Sequence, residues 1–248
     1  MKIYKFGGAS VKNAERIHNL AQIVSQEMDD LVIVVSAMGK STNELEVFTQ
    51  ALAGDDCYQG DAFDELYDQV VSTGELQSSR FISAYLNHVG IANQWIDMTQ
   101  ILRTDASFRH AQVDFETTRH QLTEFMQSHP AHVYVAQGFI GGTADGRRTT
   151  LGREGSDYSA AILANLLDAQ SVTLWKDVAG IYSADPRKVK DAVLLSSITY
   201  EQAREMAKAG AQIIHPETVS PLIEKGIPIY IRSFIHPSQQ GTVIGKTH

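Results

Sequence analysis

Thr149-Thr150-Leu151-Gly152-Arg153-Glu154-Gly155-Ser156-Asp157-Tyr158-Ser159-Ala160-Ala161 is a turn-rich stretch that runs directly into an apolar helical pattern, Ala160 to Leu167. Gly152 and Gly155 let the backbone approach a ligand closely, and Ser156 is placed to cap the helix that follows. The first N–H groups of that helix carry partial positive charge, so an anion is expected there. Arg153 offers a planar fork that grips a carboxylate or phosphate through two parallel hydrogen bonds, and Asp157 adds a fixed negative charge. A glycine turn ahead of a helix is also a common plain corner, so its meaning depends on what flanks it.

Upstream, Gln137-Gly-Phe139-Ile-Gly-Gly142 reads as a strand-to-loop exit whose Phe139 either walls a pocket or packs in the core. Downstream, Ser171 to Trp175 reads as a strand, and the irregular run Lys176-Asp177 through Tyr182 to Arg187 mixes glycine, aromatic and charged residues suited to a purine and its ribose. At the amino terminus a short strand, Lys2 to Phe6, delivers Gly7-Gly8-Ala9-Ser10 into a turn before a helix with Val11, Ala14, Ile17, Ala21, Val24 and Met28 on its apolar face. A strand, a glycine turn and a helix start present backbone N–H groups to phosphate oxygens, with Lys5 as an added point charge. The glycine-to-lysine spacing of a Walker A loop is absent.

Leu31 to Val35 is a continuous apolar run, as in a parallel strand buried on both faces. The small polar loop after it makes Ser36 and Thr42 candidates for holding a substrate, because open α/β sheets bind ligands at the carboxyl ends of their strands. Each also reads as an ordinary turn or capping residue. Glu44 to Ala53 and Asp61 to Val71 have helical spacing, and Ser72 to Ser79 is expected to lead into a further helix, Glu75 to His88, with Glu75 in its first turn. Trp95 to Asp97, Ala131 to Ala136, Ile227 to Ile231 and Gly241 to Ile244 supply further strands. The alternation of strands and helices predicts an α/β fold with a mainly parallel sheet covered on both faces.

The 248 residues and 43% hydrophobic content suffice for a sizeable core. A net charge of −8, with Lys and Arg not gathered into a run, argues against a nucleic-acid backbone as partner. No zinc-ligand spacing occurs, and His110 and His120 are read as solvent-facing. Cys57 is the single cysteine and excludes an intrachain disulfide. With no signal-peptide core at the amino terminus and no apolar run long enough to cross a bilayer, a cytoplasmic protein with no membrane partner is expected.

Together these pieces resemble aspartate kinase, of the amino acid kinase family. The blocks that carry the likeness are Lys5 to Val11, Val34 to Ala37, Gly74-Glu75, Gln137 to Gly141, Thr149 to Asp157, Trp175 to Val178, Gly180 to Tyr182, Asp185 to Arg187 and His215-Pro216, in that order over nearly the whole chain. The resemblance implies a three-layer α/β/α sandwich forming a single domain over 1–248. It divides into an amino-acid-binding lobe at about 1–138 and a nucleotide-binding lobe at about 139–248. It also implies phosphoryl transfer from MgATP to the side-chain carboxylate of L-aspartate, giving 4-phospho-L-aspartate on the way to lysine, threonine and methionine. The alternatives are a kinase for another amino-acid carboxylate and a non-catalytic subunit that binds nucleotide or amino acid.

By the same resemblance Lys5 and Asp157 are catalytic, and Ser36, Thr42, Glu75, Phe139, Arg153, Ser156 and Asp157 hold the substrate. Lys5, Gly7, Gly8, Ser10, Lys176, Asp177, Tyr182, Arg187 and Gln212 hold ATP. Mg²⁺ is expected on phosphate oxygens and water, with no dedicated protein ligands. The family commonly dimerises, so a homodimer is a candidate assembly. Three positions depart from the pattern: Ala9 replaces a common Thr, Glu154 a common Gly or Asn, and Gln212 a lysine that many members place near the nucleotide. Most aspartate kinases continue into paired ACT domains after the equivalent of Gly241 to Ile244, and no ACT domain is expected within this sequence.

Overall fold

The computed structural model describes residues 1–52, 60–152, 155–184, 189–208, 214 and 216–245, with residues 216–219 as backbone. Its centre is a strand of alternating character. In β1 (Lys2–Phe6), Ile3 and Lys5 face one side of a sheet, while Tyr4 and Phe6 face the other. β2 (Leu31–Val35) is apolar throughout and fully buried, as its unbroken run of branched residues requires. β4 (Val133–Gln137) pairs parallel with β2, and β3 (Gln94–Ile96) with β4. On the other flank of β1 lies β7 (Val172–Lys176), then β9 (Ile229–Ser233), β10 (Thr242–Gly245) and β8 (Ser197–Thr199).

The result is an eight-stranded sheet in the order β3-β4-β2-β1-β7-β9-β10-β8, in which only the β9–β10 pairing is antiparallel among the described residues. Residues up to Gln137 build one half of it and residues from Val172 the other. The order reverses at β1 and β7, where open α/β sheets form a crevice outside the carboxyl ends of their strands. A separate hairpin, β5 (Ile140–Gly142) and β6 (Arg148–Thr150), stands beyond β4. It was not anticipated, although Asp145-Gly146 between its strands is a turn signal and Gly146 has φ 86. The edge strand β8 was likewise not anticipated.

Helices cover both faces, giving the three-layer α/β/α sandwich expected from the sequence. On one side α1 (Ala14–Ser25) and α3 (Asp61–His88) bury Ile17, Leu20, Val24, Ile82 and Leu86 against Phe6, Ile33, Val35 and Trp175. On the other, α6 (Gly155–Leu166) packs with Ile3, Val32, Val34 and Leu174. Every residue of α6 except Tyr158 is buried. Its small residues Ser159, Ala160, Ala161 and Ala164 let it lie between the sheet and α8 (Pro216–Ile223). The shorter helices α2 (Ser41–Leu52), α4 (Met98–Ile101), α5 (Phe115–Ser128) and α7 (Tyr200–Lys208) complete the layers. No described helix is long and apolar enough to cross a membrane.

Three local expectations are corrected. α1 begins only at Ala14, where the Asn13 side chain accepts from Arg16 N–H, so Val11 caps the 3-10 turn Gly8–Ser10 and Met28 lies beyond the helix with 88% exposure. α3 is one helix of 28 residues, with no break at Ser72 to Ser79. The hydroxyls of Ser72, Thr73, Ser78 and Ser79 donate to carbonyls three residues back, which satisfies them without leaving the helix. Glu75 therefore sits mid-helix, with no help from a helix start. Finally, α6 begins at Gly155, so Ser156 is inside its first turn and not at the cap.

Candidate active site

The carboxyl ends of β1, β2, β4 and β7 lie side by side because their pairings are parallel. From β1, Lys5 reaches across the crevice to α6, and its Nζ lies 2.6 Å from Asp157 Oδ1. From β7, Lys176 Nζ donates to Asp157 Oδ2 at 2.8 Å. Asp157 is only 1% exposed. Burial alone would raise its pKa, but the charges of Lys5 and Lys176 outweigh that and hold it at about 2. One buried carboxylate thus fixes two ammonium groups at the mouth of the crevice.

A second carboxylate faces the same space. Glu75 Oε1 accepts the N–H of Ala37 and the hydroxyl of Thr42, both at 3.2 Å, so the loop after β2 and the start of α2 hang on it. Its Oε2 is buried and has no hydrogen-bond partner. Burial is the main influence on this group and pushes its pKa up to about 7, against the opposing pull of the Ala37 N–H, Thr42 and Lys5. An unpartnered, nearly enclosed carboxylate oxygen fits a ligand ammonium, which would supply the missing donor and charge.

The glycine turn after β1 lies close against the β2 loop. A Cβ at Gly8 would lie 2.6 Å from Gly39 O and 2.8 Å from Ala37 O, both backbone atoms, so glycine is required. Gly7 adjoins Lys5, with a built Cβ 3.5 Å from Nζ. Ser10 is 2% exposed and donates to Trp175 O, so its hydroxyl ties the turn to β7 and is engaged within the protein. Ser36 follows β2, where its N–H donates to Phe6 O and its carbonyl accepts from Ser78.

Phe139, after β4, has φ 72, a conformation that a bulky residue adopts only when held. Ser159 accepts its N–H and Leu151 donates to its carbonyl, each at 2.9 Å. Ser156 is 9% exposed in the first turn of α6, beside Asp157. Asp177 is exposed directly after β7, and Tyr182 is bridged to Leu194 in the following loop. Arg153, Arg187 and Gln212 lie outside the described residues, as do Glu154, Cys57 and His215.

The chain as a whole has counterparts among known proteins. The profile of the amino acid kinase family matches residues 1–233. The chain belongs to that family. The chloroplastic bifunctional aspartokinase/homoserine dehydrogenase 1 of Zea mays is 34% identical over 98% of the chain, which spans 32% of that relative. The lysine-sensitive aspartokinase 3 of Escherichia coli (strain K12) is 30% identical over 98% of the chain and 63% of the relative. The crystal structure of E. coli aspartokinase III in complex with aspartate and ADP has a TM-score of 0.86 and 30% identity, covering 100% of this chain and 65% of that one. The chain thus spans about a third of the bifunctional relatives it matches and about two thirds of the monofunctional ones.

Among the described residues, sequence reasoning missed one fully buried acid near the site, Asp68. It lies seven residues before Glu75 on α3. Reading α3 as two helices hid the relation, since seven residues are two turns and place both acids on one face.

Proposed function

We propose that the chain is an aspartate kinase catalytic unit, which transfers the γ-phosphoryl group of MgATP to the side-chain carboxylate of L-aspartate. The observation that carries this reading is Asp157, buried and paired to both Lys5 and Lys176 across the crevice from the unpartnered Oε2 of Glu75. The aspartokinase names and the aspartate and ADP complex among the relatives support it.

The acceptor carboxylate is already ionised at neutral pH, so no general base is needed, and the protein's task is to align two anions and offset their repulsion. An acceptor oxygen attacks the γ-phosphorus, the new O–P bond forms as the bond to the β-bridging oxygen breaks, and ADP leaves with that electron pair. Lys5 and Lys176 neutralise charge on the transferred group, and Asp157 keeps both aimed at it. Lys176 thereby supplies a second cation in a chain that carries Gln212 where many relatives have lysine. Gly7 and Gly8 bring main-chain N–H groups close to the phosphates, while Asp177, Tyr182, Arg187 and Gln212 hold the rest of the nucleotide.

Glu75 takes the substrate ammonium, Arg153 its carboxylate, and Ser36, Thr42, Phe139 and Ser156 close the pocket around them. In this reading residues to about 138 bind the amino acid and those from about 139 the nucleotide. Mg²⁺ would offset negative charge on the phosphates, held chiefly by phosphate oxygens and water. Both oxygens of Asp157 lie against lysines, so this carboxylate serves to hold the two ammonium groups.

The test is ADP release by the purified chain with MgATP and L-aspartate, L-glutamate or N-acetyl-L-glutamate, with hydroxylamine present to trap an acyl phosphate. Aspartate-dependent ADP release matched by hydroxamate supports the reading. ATP binding without turnover on any of the three overturns it in favour of a binding subunit.

A further inference from the structure

The mechanism uses only one of the two buried acids of α3. The other, Asp68, is 0% exposed. Its Oδ2 accepts the N–H of Arg109 at 2.9 Å and that of Thr150 at 2.8 Å, and its Oδ1 accepts the Thr150 hydroxyl at 2.7 Å. Both partners adjoin the segment that leads to Asp157. Thr150 ends β6, and Gly152 follows with φ 82. Arg109 has φ 67, a left-handed conformation that its hydrogen bond to Asp68 helps to hold.

A Cβ at Gly152 would lie 2.7 Å from His110 Nδ1 and 3.2 Å from Arg109 O, so the His110 ring and the Arg109 carbonyl press directly on it. Ala111 N–H donates to Thr150 O at 3.0 Å, and the Thr104 and Thr149 hydroxyls meet at 2.7 Å. Segment 104–111 and strand β6 are therefore zipped together, and Asp68 is the one carboxylate that bonds both to α3, beside separate contacts of Gln69 with Arg148 and of Asp64 with Arg109. Burial pushes that carboxyl up to about 6, while the Arg109 and Thr150 donors work the other way and favour the ionised form.

We propose that Asp68 is a positioning residue for the acceptor pocket, setting where the Gly152 to Asp157 segment begins relative to Glu75. α3 then holds both walls of that pocket: Glu75 fixes the β2–α2 loop and, about 10 Å along the helix axis, Asp68 fixes the approach to α6. Lys5, Gly7 and Gly8 are carried by β1 and its turn and make no bond to Asp68, so the effect falls on the acceptor and spares the nucleotide. The kinetic part of this inference rests on the aspartate kinase reading.

The test compares Asp68→Asn, Thr150→Val and Thr150→Ser by steady-state kinetics for both substrates and by amide hydrogen exchange of the peptide containing 149–152. An asparagine has one acceptor oxygen and turns an N–H₂ toward a donor, so at least one bond is lost. In Asp68→Asn the KM for aspartate should rise about tenfold, as expected when one or two buried hydrogen bonds are lost. The KM for ATP should stay within about twofold, the size of change expected where no direct contact is altered. Exchange at 149–152 should speed up. Thr150→Val should be intermediate, Thr150→Ser near wild type, and the double variant Asp68→Asn/Thr150→Val no worse than Asp68→Asn, because the two share a bond.

An Asp68→Asn protein that melts lower but keeps the wild-type aspartate KM and exchange would reduce the residue to a structural one and overturn the proposal, as would an equal rise in both KM values. If Asp68→Asn does not fold, equal aspartate KM values for Thr150→Val and Thr150→Ser overturn it instead. If the wild-type chain turns over no aspartate, the kinase reading fails, and the exchange comparison alone decides the role of Asp68.

Discussion

Asp157 is the residue on which the site turns, because its two carboxylate oxygens pair with both Lys5 and Lys176. The reading gives Lys176 a contact that strengthens as charge shifts toward the leaving group. Lys176→Met should therefore lower kcat by about a hundredfold while leaving the aspartate KM within a few-fold, the pattern of a lost transition-state contact. Adding Gln212→Lys should restore part of that rate if one cation can stand in for the other. A Lys176→Met enzyme with normal kcat would remove the side chain from the chemistry. Glu75 offers a second handle. With a pKa of about 7 it is largely protonated in the free protein at pH 6, and an arriving ammonium lowers that value. Aspartate binding at pH 6 should therefore release close to one proton per site, read from titration calorimetry in buffers of different ionisation enthalpy. Release should fade above pH 8 and vanish in Glu75→Gln; uptake of protons, or release unchanged in that variant, would refute the ammonium role.

At the scale of the element, α3 is the helix that organises the pocket, and Gly74 shows what its fit demands. Glycine inside a helix costs up to ~1 kcal/mol relative to alanine. A Cβ there would lie 2.9 Å from the Cβ of Ala37, whose N–H is held by Glu75. Gly74→Ala should thus gain helix propensity and lose it again to the contact, leaving the melting temperature near wild type while the aspartate KM rises several-fold. An unchanged aspartate KM would mean that the β2 loop tolerates the displacement. The glycine turn after β1 allows less, because the atoms facing Gly8 are backbone carbonyls that have no rotamer to escape into.

For the whole molecule, the balance of shifted carboxyl groups sets the pH dependence of stability. Glu75 and Asp68 have folded pKa values raised to about 7 and about 6, so the native state binds more protons than the unfolded chain in the interval above their ordinary values. Their stabilising contribution is complete below about pH 4 and is lost as pH rises through 6 to 7. Asp157, held at about 2, behaves oppositely and contributes above its ordinary value, losing that contribution only in strong acid. Stability of the ligand-free protein should fall between pH 5 and 8 by on the order of a few kcal/mol, with Glu75→Gln removing much of the slope. Denaturant midpoints at pH 5, 6, 7 and 8 for the two proteins measure this, and parallel curves would contradict it.

Periodicity and turn chemistry in the sequence alone determined the alternation of strands and helices, the buried β2, the glycine turn after β1, and the loops in which most of the candidate residues lie. These features depend on neighbours a few residues apart, and local patterns report local forces. Tertiary structure decided the rest. The pairing of Lys5 and Lys176 on Asp157 joins residues 152 and 19 positions apart in the chain. The unbroken α3 depends on hydroxyls satisfied within the helix and on a glycine facing Ala37. Asp68 and Glu75 became a pair only once that helix was continuous, and the partners of Asp68 lie 41 and 82 residues away. Such contacts exist only where distant segments have been packed together in an interior that leaves buried polar groups few alternatives, and no window of sequence contains that constraint.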